Sequence, residues 1–138
     1  MTKKTEYGLQ LLVYLAEKDG QGPVSLKEVA KSKKLPVRFL GQVATKLKKA
    51  KFLKSKEGVG GGYFLAKKPK KIEVADVLEV LEGPIELVEC LQKGSSCPWA
   101  GMCGQQTMFA QIKGKMKKII EAHTLADLVG KKDRKTGR

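Results

Sequence analysis

Three cysteines, Cys90, Cys97 and Cys103, fall within 14 residues of one another. Thiolates are soft ligands that favour iron–sulfur clusters or zinc. Six residues separate the first pair and five the second. Zinc ribbons and fingers place paired ligands closer, about two to four residues apart. The wider spacing suits a loop wrapped around a larger group, and Gly94, Pro98, Gly101 and Gly104 supply bends that let the sulfurs converge. An odd number of cysteines and the absence of an export signal argue against a disulfide framework. Catalysis is not expected. The chain has one histidine, no metal-hydrolase spacing and no nucleophile elbow.

A second group of residues carries recognition chemistry. Arg38, Gln42, Thr45 and Lys49 are spaced by four, three and four, and so share one side of a helix, opposite the apolar Leu40, Val43, Ala44 and Leu47. Arginine can bridge guanine O6 and N7, and glutamine can pair bidentately with adenine, so this face suits a major groove.

The elements that must hold these groups follow from local signals. Tyr7, Leu11, Leu12, Tyr14 and Leu15 predict a first helix over Glu6 to Lys18, stopped by Asp19-Gly-Gln-Gly-Pro23. Ser25-Leu-Lys-Glu28 is a capping box in which the serine hydroxyl accepts from the Glu28 amide and the glutamate reaches back to the serine amide. Val24 and Val29 flank it as a hydrophobic staple. A short helix to about Ser32 follows. Pro36 suits the first position of a third helix, which runs to Ala50. Two helices so close together form a helix-turn-helix. Phe52 to Lys56 and Tyr63 to Leu65 read as strands joined by Glu57-Gly-Val-Gly-Gly-Gly62, a glycine-rich hairpin tip that needs positive φ and close backbone approach to a neighbour such as a phosphate. It is not a nucleotide loop: Tyr63 occupies the last glycine of a G-x-G-x-x-G frame, and no Walker pattern is present. The hairpin is read as a wing.

Val74, Val77, Leu78 and Leu81 predict a helix over Glu73 to Leu81, ended by Glu82-Gly-Pro84, with a turn or short helix over Ile85 to Leu91. From Gln105, Met108, Phe109, Ile112, Met116, Ile119 and Ile120 form the stripe of a long helix that a chain this small has little to cover, and a second subunit would cover it. The fold class expected is mainly α with a small β-hairpin wing: a winged helix-turn-helix plus a long C-terminal dimerisation helix.

Charge divides along the same line. The 138 residues carry +14 at pH 7. Residues 1–72 hold 18 Lys/Arg against 5 Asp/Glu, and residues 73–138 hold 10 against 9. Glu73 to Gln92 contains six acids and no base. The organisation expected is a DNA-binding module over 1–72, a linker helix, cysteine loop and dimerisation helix over 73–130, and a disordered basic tail over 131–138. The basic half points to double-stranded DNA. RNA is disfavoured, because aromatics make up only 6% and offer no stacking platform. No apolar run reaches the roughly 18 residues of a membrane span. A cytoplasmic protein is expected.

Pro23-Val-Ser-Leu-Lys-Glu-Val-Ala30, Gly58-Val-Gly-Gly-Gly-Tyr-Phe-Leu-Ala66, Val74-Ala-Asp-Val-Leu-Glu-Val-Leu-Glu-Gly83, the Cys90 to Cys103 loop and Thr124-Leu-Ala-Asp-Leu128 occur in order across residues 3–129. Together they closely resemble the IscR/NsrR family of bacterial winged-helix transcription regulators. The resemblance implies a homodimer, joined through the C-terminal helix, on near-palindromic operator DNA. It also implies a 2Fe–2S or 4Fe–4S cluster on the three cysteines, sensing cluster supply, redox state or nitric oxide, most simply as a repressor. The DNA-contacting set it suggests is Ser25, Lys27, Pro36, Arg38, Gln42, Thr45, Lys46, Lys49, Lys56, Gly60, Gly61 and Tyr63.

Two departures stand out. Where one branch of the family has a histidine ligand three residues after the last cysteine, this chain has Gln106. In other branches an acid of the first helix, given by the other subunit, completes the cluster, and the matching residue is Glu6. A plain helix-start carboxylate is the alternative role for Glu6. The sole histidine, His123, lies twenty residues beyond Cys103 and is expected to pack or cap. The wing carries Lys56-Glu57 where relatives often have arginine, and Gly41 has no side chain with which to read a base. A cluster-free thiol sensor and a zinc-stabilised loop, with Glu6 or His123 as fourth ligand, are the competing uses of the cysteines.

Overall fold

The computed structural model describes residues 3–83 and 104–129. The three cysteines, Ile85 to Leu91 and the 131–138 tail lie outside them, as does the side chain of Gln106.

Helix α1 spans Lys3–Glu17 and buries Leu11, Leu12, Tyr14 and Leu15. It begins three residues before the predicted start at Glu6; Thr5, in the added turn, is also buried and donates its hydroxyl to Glu82. Helix α2 is Leu26–Lys33, with Ser25 as its cap. Half of the expected capping box is present: Ser25 Oγ accepts from the Glu28 amide at 3.1 Å. The Glu28 carboxylate turns instead to Tyr14, whose hydroxyl donates to it at 2.7 Å. A phenol on the neighbouring helix competes for the carboxylate, and the bond fastens α2 to α1. Lys33 and Glu17 add a contact at 4.0 Å between the same helices.

Helix α3 spans Val37–Lys49, with Pro36 at its N-cap, one position before the place its sequence suggested. Leu40, Val43, Ala44 and Leu47 are all buried against α1, α2 and α4. Strands β1 (Leu53–Lys56) and β2 (Gly62–Leu65) pair antiparallel, Leu53 opposite Leu65 and Lys56 opposite Gly62. Leu53 and Leu65 point into the core, and Lys54 stands opposite Phe64 on the other face.

Helix α4 spans Val74–Glu82 and buries Val77, Leu78 and Leu81, but not Val74, which the periodicity had assigned to the core. At the helix start Val74 uses its amide on the carbonyl of His123. A single hydrophobic cluster contains α1 to α3, both strands, Ile72, Val77, Leu81 and Leu125. It therefore runs across residue 72.

Helix α5 (Gly104–Glu121) has 18 residues, and along it Met108, Ile112 and Ile119 are exposed. Its end returns to the core. Thr124 bridges Glu73, and a 3-10 turn over Leu125–Asp127 is closed by a capping box between Thr124 and Asp127. Leu125 is fully buried, its amide on the Ile72 carbonyl at 2.8 Å. Among the described residues no helix is long and apolar enough to cross a membrane.

Candidate nucleic-acid interface

Packing decides which side of α3 is free. With its four apolar residues consumed by the core, Arg38, Gln42, Thr45, Lys46 and Lys49 are left exposed on the outer surface. The guanidinium of Arg38 lies over the Phe39 ring, 5.9 Å from its centroid, and Phe39 in turn meets Tyr7 of α1 at 6.1 Å. The cation thus has an aromatic rest braced from a second helix. Thr45 donates its hydroxyl to the Gly41 carbonyl at 2.9 Å, which leaves its lone pairs and methyl for a partner. Sequence reasoning passed over Val37, which is 46% exposed in the first turn of α3. Its signal was an apolar residue outside the helix's buried stripe, and such a side chain suits a thymine methyl.

The wing is held in place through its backbone. Val24, just before α2, and Tyr63 of β2 exchange two hydrogen bonds, Val24 N–H to the Tyr63 carbonyl at 2.9 Å and Tyr63 N–H to the Val24 carbonyl at 2.7 Å. Gly62 permits this. It has φ +154°, and a Cβ there would collide with the Val24 carbonyl. A Cβ on Gly61 would meet the Lys56 carbonyl. The close approach that the glycines allow is therefore first an approach to their own chain. Gly61 and Tyr63 are half-buried, while Lys56, Gly60 and a completely exposed Val59 form the outer edge of the tip. Ser25, Lys27 and Pro36 are exposed on the helix-turn-helix side. The Ser25 oxygen that caps α2 accepts there and keeps its own proton to donate.

The Tyr14 hydroxyl is pushed above the ordinary tyrosine value by the hydrogen bond to Glu28, with burial and the Glu28 charge adding to the effect.

Of the residues proposed as metal ligands, Glu6 and His123 can be placed. Glu6 is exposed near the start of α1 and pairs with Lys3 at 3.5 Å. It is adjacent to Thr5, whose bond to Glu82 brings the start of α1 to the end of α4. His123 places Nδ1 2.9 Å from the Ile119 carbonyl and gives its own carbonyl to Val74, a capping role. A helix of 18 residues is about 27 Å long, so within one chain His123 lies far from Gly104 at the other end of α5. Among the described residues no group of three metal-ligating side chains converges.

Residues 1–131 match a family described as "Rrf2: Iron-dependent Transcriptional regulator". The chain belongs to the Rrf2 family. The resemblance read from its motifs is thereby borne out. This Rrf2 regulator is 34% identical to the HTH-type transcriptional regulator CymR of Bacillus subtilis over 133 residues, 96% of this chain and 91% of CymR. The solved structure of CymR, described as the global cysteine regulator of B. subtilis, superposes with a TM-score of 0.78 over 93% of this chain and 94% of that one. T. potens IscR superposes at 0.76 with 32% identity, over 93% and 84% of the two chains. The regulator NsrR of Geobacillus kaustophilus is 28% identical over 94% of this chain and 88% of its own. The fold is that of winged-helix Rrf2 regulators, mainly helical with one antiparallel hairpin.

Proposed function

We propose that this Rrf2 regulator is a homodimeric repressor that binds near-palindromic operator DNA, and that an iron–sulfur cluster on Cys90, Cys97 and Cys103 controls its affinity. The observation that carries the DNA-binding part is the face of α3. Arg38, Gln42, Thr45 and Lys49 stand exposed together, with the wing fixed beside them by the Val24–Tyr63 bridge. Arg38 and Gln42 read bases, while Lys46, Lys49 and Lys56 bind phosphates. Ser25, Lys27, Pro36 and the wing residues Gly60, Gly61 and Tyr63 complete the contact surface.

Dimerisation uses α5, whose Met108, Ile112 and Ile119 would otherwise remain in water. Two copies also bring two reading helices to the two halves of a palindrome. The three cysteines provide soft thiolates, and the partner subunit's Glu6 is the fourth ligand. An exposed carboxylate held by one surface lysine fits that role, because little must be broken to release it. A carboxylate also binds more weakly than a fourth thiolate. When bound, the cluster supplies a centre that reacts with oxidants and nitric oxide. The Thr5–Glu82 bond and the docking of Leu125 connect both ends of the C-terminal half to the DNA-binding core.

Anaerobic purification with visible absorption and iron, sulfide and zinc analysis tests the cofactor. Brown protein with iron and acid-labile sulfide in equal amounts is expected. Colourless protein that reversibly loses DNA binding with oxidant, or that holds only zinc, contradicts the cluster.

A further inference from the structure

Eight described residues have a backbone in the left-handed region. Six are glycines, the residue that adopts it without a Cβ penalty. The other two are both lysines: Lys34 at φ 57° and Lys51 at φ 69°.

The two sites share one geometry. Lys34 follows α2, and the next amide, that of Leu35, reaches back to the Ala30 carbonyl at 2.9 Å. Lys51 follows the cap of α3, and the next amide, that of Phe52, reaches back to the Leu47 carbonyl at 3.0 Å. Each lysine thus closes a helix in the motif whose left-handed position is most often glycine and sometimes asparagine. Lysine has no short polar side chain to bond locally and ease the strain, as asparagine has. Both are exposed, and neither forms an ion pair among the described residues. Among the described residues nothing in the packing favours lysine at either position.

Their shared surrounding is α3. Lys34 lies two residues before its N-cap Pro36, and Lys51 directly after its C-cap Ala50. The 13 residues of α3 span about 20 Å, and phosphates line both edges of a major groove only about 12 Å wide, so long cationic side chains at either end of a helix seated in it have phosphates within reach. We propose that Lys34 and Lys51 are phosphate anchors, one at each end of the reading helix, retained at strained positions because glycine would supply the backbone conformation without the charge. Strain held at such sites is a mark of function when the surrounding structure fixes it. They carry no sequence information. They set the depth and register at which Arg38 and Gln42 meet the bases.

The inference rests on the DNA-binding reading, and the test keeps the two apart. The duplex is selected from a random pool by the wild-type protein, and a random duplex of equal length serves as comparison. Lys34→Gly, Lys51→Gly, the double variant and the neutral Lys34→Asn are measured for melting temperature and for affinity between 50 and 200 mM salt. Each glycine variant is expected to melt about 2–5 °C higher, since a backbone cost is removed. Each is also expected to bind both duplexes about 3–10-fold more weakly, with the salt slope lower by about one per lysine per protomer. Lys34→Asn should lose the same affinity, and Lys31→Gln, an exposed lysine within α2, should lose little. Unchanged affinity and slope in the glycine variants would overturn the anchor role. Failure of the wild-type protein to enrich any duplex would instead overturn the DNA-binding reading.

Discussion

The peptide groups of Val24 and Tyr63 exchange both of their hydrogen bonds, at 2.9 and 2.7 Å, so an antiparallel bridge ties the wing to the helix-turn-helix. The segment leading into α2 and the second strand of the wing are therefore fastened together. The proposed reading of a groove by α3 and grip of the backbone by the hairpin needs that connection, because the two contacts must keep their spacing.

Gly62 is the point at which this unit fails most readily. Gly62→Ala puts a Cβ against the Val24 carbonyl and strains a φ of +154°. The expected loss is roughly 2–4 kcal/mol, from backbone strain and two broken hydrogen bonds. Chemical denaturation reads it directly, and fast hydrogen exchange at the Tyr63 amide would localise it to the bridge.

Tyr14→Phe removes the bond to Glu28 and should cost about 0.5–1.5 kcal/mol near neutral pH, since the exposed carboxylate remains hydrated. The pH dependence has a definite sign. The folded-state value of Tyr14 lies above the ordinary 10.0. Its contribution is therefore complete below pH 10 and is lost as pH rises through the folded value, where the unfolded chain has already released the proton. The stability gap between wild type and Tyr14→Phe should narrow at alkaline pH. A constant gap from pH 8 to 11 would show that the bond is not the cause.

The proposed roles in base readout and phosphate binding can be separated on α3. Gln42→Ala should cost about 1–3 kcal/mol at one base position and relax specificity there. Lys49→Ala should weaken every sequence alike and lower the salt slope by about one. Equal losses on operator and random duplex for Gln42→Ala would remove it from the readout.

The exposed stripe of α5 gives a prediction about assembly. Ile119 is 64% exposed, so Ile119→Glu should leave the protomer folded while dissociating the proposed dimer, read by sedimentation at micromolar concentration. Leu125→Ala should act the other way. It opens the core where α5 returns to it and should cost about 2–5 kcal/mol without touching the stripe.

How much of this was visible in the sequence depended on distance along the chain. The Ser25 cap, the apolar face of α3 and the hairpin were legible, because each is set by residues three or four apart or by adjacent glycines. The destination of the Glu28 carboxylate was not, since Tyr14 comes from another helix and outcompetes the local amide. Nor was the partner of Thr5, 77 residues away. The exposed face of α3 could be read by elimination from its apolar residues, whereas Val37, apolar but outside that stripe, is shown to be exposed only by the packing. Lys34 and Lys51 were hidden for a different reason: among so many lysines, two more look like surface charge until φ is known.

The central claim is that the cysteine loop governs DNA binding. Its most direct test is the affinity of the anaerobic, iron-loaded protein for its selected duplex, compared with the same preparation after iron removal, at one salt concentration and with dimerisation confirmed in both. A ligand shifts a conformational equilibrium only through differential affinity, so the account predicts at least a tenfold difference between the two forms. Equal affinities would contradict it.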